Sequence, residues 1–137
     1  MLFLKRAGSA ALFASASLVV GCGGDDSSSG AKESETSSQE AIAEIAAVRT
    51  GLDDALASYE TGDRAVAETK VGDAYLEHFE HVEGPLGKLD AELNEQLEEA
   101  LKVELRDMMK AGAPEREVEA LAKEIGTNLD RAEAALK

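Results

Sequence analysis

Cysteine, proline and aromatic residues are scarce in this sequence. Its 137 residues include one cysteine, two prolines, two tyrosines, three phenylalanines and no tryptophan. A single cysteine excludes an intramolecular disulfide, and it also excludes the Cys-x-x-Cys-His motif that attaches a c-type haem. Neither a disulfide framework nor a covalently attached haem is therefore expected.

Motifs of the common enzyme classes are also missing. The sequence has no Gly-x-Ser-x-Gly nucleophile elbow, no His-Glu-x-x-His zinc helix and no glycine-rich phosphate loop. No segment alternates apolar and polar residues as a half-buried strand does. These absences favour an all-α protein that is not an enzyme.

Basic residues are few relative to acidic ones. Lysine and arginine number 14 against 28 aspartates and glutamates, which gives a formal net charge of −14 at pH 7. A field of this sign repels nucleic acid and anionic lipid headgroups, and it attracts metal ions and basic partners. We therefore expect a metal cation or a basic protein as partner, and no nucleic acid.

Residues 1–21 have the pattern of a secretion signal. A basic pair at positions 5 and 6 precedes an apolar run that reaches position 20, and this run is too short and too rich in serine for a membrane span. The segment Val19-Val20-Gly21-Cys22 resembles a lipobox, and this resemblance implies cleavage before Cys22. An ordinary signal peptide and an uncleaved anchor are the alternatives.

Cys22 is the residue that would carry a lipid. The resemblance to a lipobox implies diacylglycerol on Cys22, and lipidation would also explain why an exported chain has one unpaired thiol. Each buried CH₂ contributes about 0.8 kcal/mol and a single acyl chain binds only marginally, so a multi-chain lipid would anchor the protein stably. The predicted location is extracytoplasmic, lipid-anchored to the cell membrane on its periplasmic or outer face. Loss of Lys5 and Arg6 with the signal would change the net charge from −14 to −16.

Residues 22–38 differ in composition from residues 39–137. The first of these segments is rich in Gly, Ser, Asp and Glu and has almost no apolar residue, which predicts a disordered linker. In the second, apolar residues recur three and four apart, which predicts four helices. The expected helices run from Ser37 or Ser38 to Thr61-Gly62, from near Asp63 to a break at Gly84-Pro85, from Leu89 or Asp90 to Ala111, and from Pro114 onward. Their short connections predict an antiparallel up-down four-helix bundle, preceded by the signal peptide and the flexible linker.

Both histidines of the chain lie in one short stretch with three glutamates. Glu77, His78, Glu80, His81 and Glu83 fall within seven residues. Imidazole nitrogens and carboxylate oxygens are common ligands of transition metals, and residues three or four apart on a helix are neighbours. These five residues are therefore the candidate metal ligands.

A helical projection divides the five candidates into two groups. With the buried stripe centred at position 79 and about 100° per residue, Glu83 falls about 40° away and should be partly buried. His78 and Glu80 fall at the two edges of the stripe, while Glu77 and His81 turn toward solvent. The projection leaves an outer site of Glu77, His78 and His81 and an inner site of Glu80 and Glu83. In the alternative interpretation the histidines are surface residues that bind nothing specific.

Two further charged residues project into apolar stripes, Arg49 in the first helix and Glu104 in the third. One interpretation is a core salt bridge from Arg49 to Glu83 or Glu104, in which loss of one partner would leave a buried charge. In another, the two inward acids Glu83 and Glu104 outnumber the one inward base, Arg49, and a bound cation neutralises the remaining negative charge. In a third, the charged ends of both side chains reach solvent.

Several short segments after position 56 resemble one known family. They are Leu56-Ala-Ser-Tyr59-Glu-Thr-Gly62-Asp63, Asp73-Ala74-Tyr75-Leu76 with Phe79-Glu80, Val82-Glu83-x-x-Leu86, Leu105-Arg106, Ala111-Gly112-Ala113-Pro114 and Leu129-Asp130-Arg131-Ala132. Over residues 56–136 the chain resembles the extracytoplasmic helical domain that precedes the membrane segment in bacterial members of the oxidase-dependent iron permease family. The resemblance implies a role in iron uptake, with Glu80 and Glu83 as the matched acidic positions. His78 and His81 depart from the family's pattern.

The sequence contains no permease segment after this region. The resemblance therefore implies a protein that acts with a separate iron permease, while its lipid holds it at the membrane. The leading hypothesis is a non-enzymatic, metal-binding accessory lipoprotein of iron uptake, with iron as the ion ahead of copper or zinc. The competing hypothesis is a structural or protein-interaction module that docks a membrane partner through its acidic face without a metal.

Overall fold

Four helices make up most of residues 36–137, the part of the chain that the computed structural model describes. The first helix is Ser38–Glu60 and the fourth is Glu115–Leu136. The second spans 64–89 as α-helix Arg64–Asp73, π-helix Ala74–Phe79 and α-helix Glu80–Leu89. The third spans 91–111 as α-helix Ala91–Glu99, π-helix Ala100–Glu104 and α-helix Leu105–Ala111. The all-α prediction is confirmed for this range, whereas the predicted signal peptide, Cys22 and most of the linker lie outside the described residues.

Local capping fixes most helix ends close to where the sequence predicts them. The backbone N–H of Ser37 donates to Glu40 Oε2 at 2.8 Å, and the N–H of Glu40 donates to Ser37 Oγ at 3.2 Å, so a capping box begins the first helix at the predicted place. Asp63 accepts from the N–H of Val66 at 3.2 Å and begins the second helix. Gly112 ends the third helix with a φ of +72°, a left-handed conformation that is accessible to glycine without a Cβ clash.

The predicted break of the second helix at Gly84-Pro85 is wrong. The helix continues through Pro85 and ends at Leu89. Proline in a helix interior removes a hydrogen bond and costs about 3 kcal/mol. Val82 and Leu86 lie on either side of it and are fully buried, and burial of such side chains stabilises by about 1.5–3 kcal/mol each. Burial of these two residues therefore offsets the cost of the proline.

The buried residues follow two different spacings. In the first and fourth helices, buried positions alternate steps of four and three: Ala41, Ile45, Val48, Leu52, Ala55 and Tyr59, then Val118, Ala122, Ile125, Leu129, Ala132 and Leu136. In the second and third helices, steps of four repeat, as in Ala67, Val71, Tyr75 and Phe79, and in Leu93, Leu97, Leu101, Leu105 and Met109. An α-helix turns about 100° per residue, so each step of four rotates the stripe by about 40°. Each π-helical turn is wider and contains about one extra residue, so the buried residues of the second and third helices continue to face the core.

Close contacts join the first helix to its neighbours. A Cβ atom at Gly51 would lie 2.8 Å from the Cβ of Ala74, so the first and second helices approach closely at this point. Near its end, Tyr59 Oη donates to the carbonyl oxygen of Ala113 at 2.6 Å, just before the fourth helix begins. Among residues 36–137 no helix has the length and apolarity that a membrane span requires.

Candidate functional site

The five candidate ligands lie on the second helix at different depths. Glu77, Glu80 and His81 are exposed, whereas His78 and Glu83 are half-buried. The partial burial predicted for Glu83 is confirmed, and so is the exposure predicted for Glu77 and His81. The role of these residues as metal ligands stays a prediction.

His78 is hydrogen-bonded to Glu44 of the first helix, a residue that is not among the candidates predicted from the sequence. Its Nδ1 lies 2.7 Å from Glu44 Oε2. Because a carboxylate oxygen accepts, Nδ1 carries a hydrogen in this bond, which leaves Nε2 as the ring nitrogen that could bind a metal. Carboxylates orient many metal-binding histidines in this way. The same bond also links the first and second helices directly.

The outer site predicted from Glu77, His78 and His81 is not assembled as a set. In residues 36–137 these three side chains do not form a group whose ligand atoms all lie within 4.8 Å of one another. Glu44 holds the imidazole of His78 at the first helix, while Glu77 and His81 extend toward solvent. The pair of histidines therefore offers a cation no ready set of three ligands.

Glu83 is held by a hydrogen bond within its own helix. Tyr75 Oη donates to Glu83 Oε1 at 2.8 Å. Eight residues of α-helix turn about 800°, roughly 80° beyond two full turns, so the two side chains would diverge on a regular helix. The π-helical segment Ala74–Phe79 lies between them and absorbs about one residue. The wide turn thus brings Tyr75 and Glu83 onto one face.

The surroundings of this pair favour its uncharged forms. Burial raises the pKa of Glu83 and the carboxylates of Glu98 and Glu80 raise it further, while the bond from Tyr75 and the charge of Lys102 lower it. Burial also raises the pKa of Tyr75, and so does its hydrogen bond to Glu83. The phenol therefore keeps its proton and orients the Glu83 carboxylate as a donor.

Lys102 supplies positive charge to this group from the third helix. Its Nζ lies 3.1 Å from Glu98 Oε1 and 5.5 Å from the ring centroid of Tyr75. The hydrogen bond to Glu98 raises the pKa of Lys102, as do the charges of Glu98, Glu83 and Glu80. We refer to Tyr75, Glu80, Glu83, Glu98 and Lys102 as the Glu83 cluster. It contains three carboxylates and one ammonium group.

Only Glu80 and Glu83 of the Glu83 cluster are among the candidate ligands predicted from the sequence. Tyr75, Glu98 and Lys102 are not among them. A signal for Tyr75 exists in the sequence, because the apolar steps of four from Ala67 to Phe79 indicate an extra residue in the turn that precedes Glu83. No comparable signal exists for Glu98 and Lys102, since their place depends on how the third helix packs against the second.

The predicted core salt bridges of Arg49 are wrong. Its Nη2 lies 2.6 Å from Asp130 Oδ1 on the fourth helix, and its Nη1 donates to the carbonyl oxygen of Gly126 at 3.3 Å. Glu104 is exposed, and no charged residue among 36–137 is buried. The π-helical turn that ends at Glu104 rotates this residue off the stripe and places Leu105 there. Both charged side chains reach the surface, as the third interpretation expected.

Another group of acidic residues has converging oxygens. The ligand atoms of Glu60, Glu115 and Glu119 lie within 4.8 Å of one another, where the first helix ends and the fourth begins. All three residues are exposed, and exposed carboxylates commonly lie close together without an ion. Glu115 is also placed to stabilise the N-terminus of the fourth helix. We therefore assign no ion-binding role to these three glutamates.

Comparison with family models, with curated proteins and with solved structures finds no match to this chain. The resemblance to the iron permease domain therefore depends on the short sequence segments alone.

Proposed function

We propose that this chain is an extracytoplasmic lipoprotein whose helical domain binds a metal cation at the Glu83 cluster. Its role would be that of an accessory of iron uptake, acting with a separate permease. The observation that carries the proposal is the surplus of carboxylates around the half-buried Glu83, with Lys102 as their ammonium partner.

The electrostatics of the Glu83 cluster favour a bound cation. Partial burial and the two neighbouring carboxylates disfavour the negative charge on Glu83. A divalent or trivalent cation would supply the missing positive charge and lower the pKa of Glu83. The electrostatic attraction between a cation and these carboxylates is stronger than at a fully solvated carboxylate, because water screens the partly buried charges less.

The ligand chemistry restricts the class of ion. Carboxylate oxygens are hard donors, which suit iron, manganese, magnesium and calcium better than they suit copper(I). Tyr75 acts as a hydrogen-bond donor to Glu83 and not as a ligand, since its pKa is raised. Glu80, Glu83 and Glu98 do not form a preassembled group in which one oxygen of each carboxylate lies within 4.8 Å of the others. Binding of a cation would draw these three flexible side chains together. Within this class of ions we propose iron, because of the sequence resemblance to the iron permease domain.

The helical domain is proposed to be an up-down-up-down bundle. Between the first and second helices, the second and third, and the first and fourth, higher residue numbers on one helix go with lower numbers on the other, as antiparallel neighbours require. The supporting contacts are Glu44 with His78 and Gly51 with Ala74, Glu68 with Arg106 and Gly87 with Asn94, and Arg49 with Asp130 and Tyr59 with Ala113. Such a bundle presents the Glu83 cluster at the surface where the second and third helices meet.

The metal proposal is tested by calorimetric titration of the mature chain from residue 22, carrying Cys22→Ser. Ferrous iron, ferric citrate, manganese and zinc are the ions to titrate. The double variant Glu80→Gln/Glu83→Gln should lose at least tenfold in affinity, because it removes two of the three carboxylates. The matched control is Glu115→Gln/Glu119→Gln, which removes the same charge from the exposed group at the start of the fourth helix and should bind like the parent.

Two results of this titration would contradict the metal proposal. One is the absence of saturable binding by the parent protein. The other is an equal loss of affinity in both double variants, which would reflect net charge alone. The lipid is tested separately by labelling cells with a radioactive fatty acid: the parent should incorporate label, and Cys22→Ser should not.

A further inference from the structure

Lys102 holds its ammonium group between the second and third helices. Its Nζ lies 3.1 Å from Glu98 Oε1 and 5.5 Å from the ring centroid of Tyr75. Glu98 is on the third helix with Lys102, whereas Tyr75 is on the second, so the ammonium group connects the two helices. The Lys102 side chain is 51% exposed and has a flexible stem, so its ammonium group can leave this position for solvent without any movement of the backbone.

Carboxylates of both helices act on this ammonium group. The hydrogen bond to Glu98 raises the pKa of Lys102. The charges of Glu83 and Glu80 on the second helix raise it further. Glu83 is also connected to Lys102 through Tyr75, whose hydroxyl donates to Glu83 Oε1 at 2.8 Å and whose ring lies below the ammonium group. The ammonium group thus lies among the carboxylates to which the proposed function assigns a bound cation.

We propose that Lys102 is a tethered competitor of the metal cation: its ammonium group occupies the Glu83 cluster when no ion is bound and is displaced when an ion binds. This inference rests on the proposed function of the cluster as a cation site. Like charges repel, so an ammonium group and a multivalent ion are not both stable close to the same carboxylates. Because the ammonium group is attached to the chain, its effective concentration at the carboxylates is high and constant. Every ion that binds has to overcome this competition.

The competition selects ions by their charge. A monovalent ion that replaces the ammonium group leaves the charge of the cluster unchanged. A divalent or trivalent ion adds further positive charge to the three carboxylates, so its attraction to Glu83 and its neighbours outweighs the lost contacts of Lys102. Lys102 is therefore the residue that gives the cluster its preference for multivalent ions, and it lowers the affinity for every ion.

The test compares the mature chain from residue 22 carrying Cys22→Ser, as the parent, with its variant Lys102→Gln. Manganese(II) is titrated into each protein at physiological ionic strength, and free manganese is measured by electron paramagnetic resonance. The matched control is Lys137→Gln. Lys137 forms the equivalent bond on the fourth helix, to Glu133 four residues earlier at 2.7 Å, so this variant removes the same charge and the same kind of contact.

Lys102→Gln should bind manganese(II) at least tenfold more tightly than the parent, because the competing ammonium group is gone. Lys137→Gln should gain less than threefold, which measures the effect of net charge alone. Lys102→Arg keeps a positive charge and should bind as weakly as the parent. The gain should disappear when Glu80→Gln/Glu83→Gln is added to Lys102→Gln.

A second readout follows the displacement itself in the parent protein. Zinc(II) is diamagnetic, so the side-chain NMR signals of Lys102 can be observed while zinc binds. In the unloaded protein the Tyr75 ring shifts these signals, because the ammonium group lies over it. At zinc saturation the signals of Lys102 should move toward those of a solvated lysine.

The possible outcomes separate this inference from the proposed function. Equal saturable binding by the parent and Lys102→Gln would overturn the inference but leave the proposed function standing. An equal gain in Lys137→Gln, an equal gain in Lys102→Arg, or unchanged Lys102 signals at zinc saturation would also overturn the inference. Saturable binding by Lys102→Gln but not by the parent would support the role of Lys102 and contradict the proposed function. Absence of binding by both proteins would overturn both.

Discussion

Replacing Gly51 by alanine tests the close approach of the first and second helices. Alanine is favoured over glycine in a helix interior by about 1 kcal/mol, so the substitution would stabilise an isolated helix. In this fold, however, the new Cβ would lie 2.8 Å from the Cβ of Ala74, a separation that real Cβ atoms essentially never show. Ordinary contact between carbon atoms is about 3.5–4.0 Å, so the two helices must move apart by most of an ångström.

The two effects of Gly51→Ala oppose each other. Overpacking of this kind costs about 1–3 kcal/mol, which exceeds the gain in helix propensity and leaves a net destabilisation of about 1 kcal/mol. Gly126→Ala is the matched control, since a Cβ there meets nothing within 4 Å. It should stabilise by about 1 kcal/mol, so the two glycine variants should differ by about 2 kcal/mol.

The assay is urea and thermal unfolding followed by circular dichroism. A change of 1 kcal/mol shifts the midpoint of a domain of this size by about 4–8 °C, so the two glycine variants should shift it in opposite directions. The double variant Gly51→Ala/Ala74→Gly removes the clash and should recover stability relative to the sum of the single changes. If Gly51→Ala stabilises the protein as much as Gly126→Ala does, the close approach at Ala74 is refuted.

Three further predictions concern single side chains. The raised pKa of Glu83 means that its contribution to stability is fully present below the pKa of the unfolded chain and is lost as pH rises through the folded pKa. Glu83→Gln keeps an acceptor for Tyr75, so it should raise the free energy of unfolding at pH 7 and should have no such effect below about pH 4. Urea titrations at both pH values measure this difference, and an equal change in free energy at the two values would contradict the prediction. Tyr59→Phe removes the bond to Ala113 and should cost about 1 kcal/mol in the same assay, and an unchanged midpoint would mean that water replaces this bond. Gly112→Ala forces a Cβ into the left-handed region and should cost about 1–2 kcal/mol by thermal unfolding, whereas a stabilised variant would exclude the positive φ.

Local signals in the sequence were sufficient for the helices and most of their ends. The capping box at Ser37 and the glycine at position 112 act within one or two turns, so their effect can be predicted without the rest of the fold. The break at Pro85 was predicted wrongly for the opposite reason. Whether a proline ends a helix depends on the burial of the next turn, here Leu86, and that burial is decided by tertiary packing.

Apolar spacing carried more information than a straight-helix projection can use. The fourth helix alternates steps of four and three and is a regular α-helix throughout. The third helix repeats steps of four from Leu93 to Met109, and it contains a π-helical segment. A projection at about 100° per residue ignores that segment, so it placed Glu104 inside the stripe, which is where Leu105 lies. Reading the repeated steps as an inserted residue would have avoided this error.

The candidate site could be predicted only along one helix. Glu83 was expected to be partly buried from its angle to the apolar stripe, and it is. Its neighbours Glu98 and Lys102 come from the third helix, and Glu44, the partner of His78, comes from the first. The axial register between helices depends on packed side chains rather than on a periodic pattern. For the same reason the sequence paired Arg49 with the wrong acids, while the fold gives it Asp130.

Paramagnetic broadening by iron(II) tests most directly whether the Glu83 cluster binds a cation. Substoichiometric ferrous iron is added to the isotopically labelled mature chain without oxygen, and the carboxyl and aromatic resonances are followed residue by residue. Binding at the cluster predicts that the signals of Glu83, Glu98 and Tyr75 broaden first and together. Broadening that begins at Glu115 and Glu119, or that spreads evenly over all exposed acids, would contradict it.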